Sequence, residues 1–254
     1  MKTFEAKRAG IIIYNLTEVI QQNKSYLSEI DGATGDGDHG VNMNKGFTMC
    51  RAKLEDAGDI DAIGFADAAE ILGNTLLSEI GGSMGPLYGM FFLEIADNIR
   101  GKDYIGAEDF LAMLKAGLAG ITSLVPTKLG DKTLLDVLVP SVDVFESALA
   151  GKKPQNGEGA DGSDGDGGVG GVEGLDDYGG VDGVDGVGGE VFQQALAAMT
   201  EAARTAREAT KDMVAKVGRA STLGERSRGF YDAGATSCAL ILASMADSAL
   251  ALLT

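Results

Sequence analysis

Apolar residues recur every three to four positions along most of this 254-residue chain, and that periodicity constrains the fold more than any other feature. It indicates amphipathic helices, because no stretch shows the strict alternation typical of a half-buried strand. We therefore predict an all-α fold, a single domain over residues 1–254 built as a bundle of about eight antiparallel helices. The predicted helices span about 4–30, 41–57, 62–80, 86–99, 108–124, a stretch ending near 150, 191–217 and 235–253.

One segment, 151–190, departs from this pattern. It contains sixteen glycines and ten acidic residues but few large apolar groups. Such a segment buries too little apolar surface to offset the entropy lost on ordering, so we predict a flexible insertion within the helical domain. Its glycines and aspartates resemble calcium-binding repeats, but the strict nine-residue period of those repeats is absent.

Charge and composition exclude several classes of function. The net charge is -17, much of it in the insertion, and no cluster of Lys and Arg suits nucleic acid. No uncharged apolar run reaches the length of about 18 residues that a membrane span needs, and the chain's start lacks a signal-peptide pattern. We therefore predict a cytoplasmic protein without a membrane partner. Cys50 and Cys238 lie in apolar helical patterns, which favours buried free thiols over a disulfide.

The segment 31–44, DGATGDGDHGVNMN, has the strongest chemical character. It holds Asp31, Asp36, Asp38 and the chain's only histidine, His39, among four glycines. Three carboxylates this close repel one another unless a cation lies between them, and glycines let backbone N–H groups approach a phosphate. A predicted helix follows, and a helix N-terminus favours anions. These features predict a magnesium-phosphate site, and the alternative on these residues alone is a solvated acidic turn.

Three further polar, glycine-rich segments lie between predicted helices: GGSMGPLYG, GDKTLLDVLVP and GRASTLGERSRGFYDAGATS. Each has a structural alternative. The first could be a tight helix connection, and the second could be a helix cap at Asp131 or Thr133 beside a solvated Lys132. In the third, the arginines could pair with carboxylates instead of phosphate. All four segments fall at alternate helix connections. In an up-and-down bundle they would therefore share one rim, with the insertion at the opposite rim.

Together, GDGDHGVNMNKGF and these three motifs, in this order, resemble the nucleotide-binding L subunit or domain of the dihydroxyacetone kinase family. The resemblance covers nearly all of the chain except 151–190. It implies a barrel of eight antiparallel helices that binds ADP or ATP through two magnesium ions at one rim. By position, it implies metal ligands at Asp31, Asp36 and Asp38, and it makes Arg219 and His39 the candidate catalytic residues. The implied nucleotide contacts are His39, Gly40, Val41, Asn42, Ser83, Met84, Leu134, Arg219, Asp232, Ala233 and Gly234.

The same resemblance implies a phosphotransferase that is half of an enzyme. In the family, a histidine of a separate K subunit or domain holds dihydroxyacetone or a related ketose covalently, whereas this chain's one histidine lies in the acidic cluster. A phosphocarrier protein of the phosphoenolpyruvate system would recharge the bound ADP, as in other stand-alone L subunits. The alternatives are a subunit that exchanges ATP and a nucleotide-sensing module that binds a transcription regulator.

Two residues depart from the family pattern. The family often has Tyr at the position of Thr222 and Pro at that of Ala233, and both changes concern how the adenosine is held. Fatty-acid kinases have a related domain, but they show GDTGTNM where this chain has GDHGVNM. That difference disfavours a fatty-acid kinase.

Overall fold

Helices form almost everywhere that the apolar periodicity predicts them. The computed structural model describes residues 2–151 and 184–254, which contain nine α-helices and one antiparallel pair of short strands. The helices are α1 (Ile11–Gln22), α2 (Lys24–Thr34), α3 (His39–Ala57), α4 (Phe65–Glu79), α5 (Met84–Ile99), α6 (Ala107–Leu124), α7 (Leu135–Leu149), α8 (Val184–Ala209) and α9 (Ala233–Leu252). The strands are β1 (Phe4–Glu5) and β2 (Tyr104–Ile105). The predicted all-α class is confirmed.

Eight of these helices pack as a closed ring. From α3 to α9 each helix packs on the next, α9 packs on α1, and α1 packs on α3. The remaining helix, α2, lies across α3 and α9. The inward faces of the ring form one continuous apolar core, whose largest buried side chains include Tyr88, Phe47, Phe91, Phe92, Phe110, Phe145 and Phe192. Since burial of each such side chain contributes roughly 1.5–3 kcal/mol, this core provides the main driving force for folding.

The boundaries differ from the predictions at the beginning of the chain and around α8. The predicted first helix, 4–30, is in fact β1, a 3₁₀ turn and the two helices α1 and α2, which are separated at Asn23. The Asn23 side chain donates a hydrogen bond to the Val19 carbonyl (2.8 Å) and so ends α1, while the apolar periodicity continues across the break. The penultimate helix ends at Ala209, not at 217, and Arg219–Ser227, expected as a loop, is a 3₁₀ helix.

The predicted insertion, 151–190, falls largely outside the described residues. Its flanks are the end of α7 and the beginning of α8, and α8 begins at Val184, seven residues before the predicted position. α7 begins at Leu135, directly after the GDKT motif, and continues through Pro140. Because a helix of 15 residues is roughly 22 Å long, α7 separates the flank of the insertion from that motif.

Within the described ranges, α9 is the one helix that is long and apolar enough to cross a membrane. It is also a wall of the ring, where it packs on α1, α7 and α8. Its most apolar window is 61% buried, as in the core helix of a globular domain.

A close contact between α2 and α3 yields the first testable prediction. A Cβ atom on Gly40 would lie 2.1 Å from the Lys24 carbonyl oxygen and 2.6 Å from the Ser28 backbone nitrogen. Because backbone atoms cannot rotate away, Gly40→Ala must push the two helices apart, and we expect a loss of about 1–3 kcal/mol in unfolding free energy.

Gly32→Ala in α2 provides the matched control. A Cβ atom there would meet nothing closer than the Gly37 Cα at 3.8 Å, so we expect a neutral or stabilising effect of up to about 1 kcal/mol. Urea unfolding of both variants without ligand measures the difference. Equal stabilities would contradict the contact.

Candidate functional site

The four polar motifs meet at one end of the ring. The Arg219 guanidinium pairs with Asp36, which joins the last motif to the first. Lys132 Nζ donates a hydrogen bond to the Ser227 carbonyl, which joins the GDKT motif to the last. The Tyr88 hydroxyl, in the GGSMGPLYG motif, donates to the Gly234 carbonyl (3.1 Å). The prediction of a shared rim is therefore confirmed.

Three aspartates form the centre of this rim. Asp31 lies in the last turn of α2, Asp36 in the following turn, and Asp38 directly before α3. One carboxylate oxygen from each lies within 4.8 Å of the others. A Cβ atom on Gly35 would lie 2.8 Å from Asp31 Oδ1, and Gly37 has a φ of +76°, so glycine is needed at both positions for the turn to bring the oxygens together.

The three carboxylates suit a divalent cation, and the helix N-terminus beside them suits an anion bound to that cation. Three carboxylates in close proximity are typical ligands of a hard cation such as Mg²⁺. The Asp38 side chain makes no capping hydrogen bond at α3, so its oxygens are not committed to the backbone. The first N–H of α3, that of His39, donates to Asp31 Oδ2 (3.1 Å), and the dipole of this 19-residue helix favours negative charge beside the cluster.

Arg219 supplies positive charge to the cluster. Its guanidinium contacts Asp36 and lies 3.5 Å from Asp38 Oδ2. These side chains are between 46% and 64% exposed, so the ion pairs contribute little to stability, and the arginine stays free to interact with a bound phosphate. A cleft of about 460 Å³ opens beside the pair and is lined by Ala33, Thr34, Gly35, Asp36, Arg219, Thr222 and Leu223. Thr222, one of the two departures from the family pattern, therefore lies at the site.

His39 lies in a hydrogen-bonded chain that the sequence did not reveal. Its Nε2 lies 3.0 Å from Ser237 Oγ, which lies 2.8 Å from the buried Tyr88 hydroxyl. Burial lowers the pKa of the His39 imidazole below its usual value, so the ring is mostly neutral at pH 7. Ser237 and Tyr88 both lie inside motifs that were singled out, but the chain from His39 through Ser237 to Tyr88 depends on tertiary packing of α3, α5 and α9.

The N-terminus of α9 forms the second part of the site. Asp232 caps this helix, since its Oδ1 accepts a hydrogen bond from the Ala235 N–H (2.6 Å). Leu134 lies beside it, with its backbone nitrogen 3.6 Å from where a Cβ on Gly234 would stand. Ala233 is buried. The structure thus brings together the residues predicted at 134 and 232–234.

Asp232 also gives a prediction of pH dependence. Burial raises the pKa of its carboxyl to about 6, whereas an unfolded chain has a value of about 3.9. Because the folded protein holds this proton more tightly, the contribution to stability is complete below about pH 4 and disappears as the pH rises through 6. We expect the unfolding free energy of the wild type to fall over this range relative to Asp232→Asn, which keeps the cap. A difference that is constant between pH 4 and 7 in urea unfolding would contradict this.

The other predicted contacts lie at helix starts on the same rim. Gly40, Val41 and Asn42 form the first turn of α3, where Val41 is 50% exposed. Met84 is the first residue of α5 and is buried, and Ser83, the residue before it, is exposed. No hydrogen bond in the described part of the chain joins Ser83 or Met84 to the three aspartates, so their relation to the cluster rests on position alone.

The fold and the rim together define a class of protein: a helical barrel that has, at one end, a carboxylate cluster beside a helix N-terminus. The DAK2 domain model matches residues 33–157 and 182–247, and the interruption, 158–181, falls inside the predicted insertion. The chain belongs to the DAK2 domain family.

Relatives of known function share this fold or sequence. The chain is 33% identical over 232 residues to the PEP-dependent dihydroxyacetone kinase, ADP-binding subunit DhaL, of Escherichia coli (strain K12), and the match covers 91% of each chain. It is 28% identical over 245 residues to the L-erythrulose 1-kinase of Mycolicibacterium smegmatis, covering 95% of this chain and 35% of that one. The fold is similar, with a TM-score of 0.59 and 19% identity, to the crystal structure of the dihydroxyacetone kinase from C. freundii in complex with AMP-PNP and Mg²⁺, covering 94% of this chain and 33% of that chain.

Proposed function

We propose that this chain is the nucleotide-binding subunit of a kinase that phosphorylates dihydroxyacetone or a related ketose. The observation that carries the proposal is the convergence of three carboxylates within 4.8 Å beside the N-terminus of α3. The identity of 33% to an ADP-binding DhaL subunit over 91% of its length supports the choice of nucleotide and reaction.

The residues of the rim have distinct tasks in this proposal. Asp31, Asp36 and Asp38 would hold Mg²⁺, and the family resemblance implies two ions. The metal would neutralise phosphate charge. The first turn of α3 offers the N–H groups of Gly40 and Val41 to phosphate oxygens, and Asn42, whose N–H already donates to the Asp38 carbonyl (2.9 Å), offers its side chain. Arg219, which contacts Asp36 and Asp38, would stabilise phosphate charge beside the cluster. Leu134 with residues 232–234, and Ser83 with Met84, hold the remainder of ADP or ATP.

His39 positions the first turn of α3 and does not carry the phosphoryl group. Its Nε2 is committed to Ser237, and a phosphohistidine dianion beside three carboxylates would be repelled.

The ketose needs a second protein. The chain has one histidine, so no other imidazole is present to hold a ketose carbonyl covalently. A K-type subunit would therefore carry the ketose to the rim. The name of the Escherichia coli relative supports phosphoenolpyruvate as the source of the phosphoryl group. In this proposal a cytoplasmic phosphocarrier protein of the phosphoenolpyruvate system would deliver it. We propose further that residues 1–254 form one domain and that 151–190 is an insertion without a role in catalysis.

A second candidate is an ATP-dependent ketose kinase that acts on a four-carbon sugar. The match to the L-erythrulose 1-kinase over 95% of this chain favours it. The two candidates share the magnesium-nucleotide site and differ in whether ADP stays bound between turnovers.

Calorimetric titration with ADP tests the shared proposal. The protein is first treated with chelator and then titrated with and without added Mg²⁺. We expect ADP to bind when Mg²⁺ is present and to bind at least about tenfold more weakly without it, because the carboxylates repel an uncompensated diphosphate. Equal affinity under both conditions would contradict the assignment of the metal ligands.

A further inference from the structure

Lys132 has an environment that is unusual for a lysine. The residue is only 2% exposed, and its backbone φ is +63°, the one positive value among the non-glycine residues that the structure describes. A left-handed conformation costs a lysine conformational energy that a glycine would avoid. Burial also lowers the pKa of the ammonium group, although the nearby Asp232 carboxylate opposes this effect. Such a residue is expected where its side chain does something that glycine cannot do.

The ammonium group connects two distant points of the chain. Its Nζ donates to the Met213 carbonyl (3.2 Å) and to the Ser227 carbonyl (2.5 Å). The residues between these carbonyls form a loop that includes the 3₁₀ helix Arg219–Ser227, and Arg219 lies near the middle of this loop. Lys132 therefore closes the base of this loop, which we name the arginine loop (213–227).

The other contacts of the arginine loop are mostly polar and include the Lys216 N–H, which donates to the Asp131 carbonyl (3.1 Å). Within it, only Ala215 and Ser227 are buried. The Ser227 hydroxyl accepts from the Ala215 N–H (2.9 Å) and donates to the Gly224 carbonyl (2.7 Å), so these bonds also gather at the base. Because the loop has little apolar surface inside the core, its position depends on polar contacts at its base.

We infer that Lys132 is a positioning residue that acts through Arg219: it closes the base of the arginine loop and so holds the guanidinium opposite Asp36 and Asp38. The inference rests on the proposed function for the role of Arg219 in nucleotide binding. It assigns a task to a residue that the sequence alone presented as a solvated lysine of a helix cap. The strained backbone at 132 is retained because the ammonium group is needed at this point.

Two variants of Lys132 separate the side chain from the backbone. Lys132→Met removes the ammonium group and keeps the strain, whereas Lys132→Gly removes both. We expect both to weaken Mg-ADP binding about tenfold, the cost typical of losing a group that orients a ligand-binding residue. Lys216→Met is the matched control: Lys216 belongs to the same loop, but its side chain is 59% exposed, and its ammonium group lies 3.9 Å from Asp131 Oδ1, a long pairing of an exposed lysine that contributes little. We expect its affinity to equal that of the wild type.

A double variant tests whether Lys132 acts through Arg219. If it does, Lys132→Met combined with Arg219→Gln binds Mg-ADP no more weakly than Arg219→Gln alone. Additive losses, or wild-type affinity in Lys132→Gly, would overturn the inference.

Hydrogen exchange measured by mass spectrometry provides a second test of the inference, and this test needs no nucleotide. We expect faster deuterium uptake in peptides covering 214–228 in both Lys132 variants, with unchanged uptake in α4 and α5. Unchanged uptake in 214–228 would also overturn the inference. A wild type that fails to bind Mg-ADP would refute the proposed function instead, and the exchange result would still decide the role of Lys132.

Discussion

The Asp38→Asn variant is expected to lose affinity for Mg-ADP by a factor on the order of 100 while its fold stays intact. Asp38 contributes one of the three converging carboxylates, its side chain is 50% exposed, and Arg219 is its one ion-pair partner among the residues that the structure describes. Replacing it with a neutral amide removes a third of the charge that attracts the cation, yet it breaks only an exposed ion pair, whose contribution to stability is small.

Asp97→Asn is the matched control for this variant. Asp97 is also an exposed aspartate paired with an arginine, Arg100, but it lies near the C-terminal end of α5, the end of that helix away from the rim. We expect its calorimetric affinity for Mg-ADP and its melting temperature to equal those of the wild type. If Asp38→Asn bound Mg-ADP as tightly as Asp97→Asn does, the aspartate cluster would not be the metal site.

The acidic cluster could be predicted because its chemistry is local. Asp31, Asp36 and Asp38 lie within eight positions of one another, and glycines at 35 and 37 allow the turn that joins them. The shared rim followed from the alternation of helix ends, which depends only on the number of helices. Splitting the first predicted helix into α1 and α2 left that alternation intact, because α2 is not a member of the ring.

Other features could not be predicted, for two physical reasons. The break at Asn23 leaves the apolar periodicity continuous, so a pattern with a period of 3.6 residues cannot reveal it. The roles of Ser237, Tyr88 and Lys132 depend on contacts between residues more than 80 positions apart. From the sequence, a lysine in a polar motif is expected in solvent, whereas tertiary packing, including its contacts with the arginine loop, buries it.

The second large effect concerns turnover. We expect this chain to transfer no measurable phosphate to dihydroxyacetone when it is supplied with ATP alone. A three-carbon ketose offers few contacts, and the one histidine of the chain is held by Ser237 beside three carboxylates. The rim therefore provides for the nucleotide and leaves no group to hold the sugar. Adding a K-type subunit should raise turnover from background to an easily measured rate, an all-or-none change.

A coupled assay with dihydroxyacetone, in which each component is omitted in turn, tests the central claim most directly. The components are this chain, a K-type subunit, the phosphocarrier proteins with phosphoenolpyruvate, and ATP. We predict that turnover disappears when this chain, the K-type subunit or the phosphocarrier proteins are left out. Turnover that needs ATP in place of the phosphocarrier proteins would favour the ATP-dependent candidate. Phosphorylation of dihydroxyacetone by this chain and ATP alone would contradict the claim that the chain is half of an enzyme.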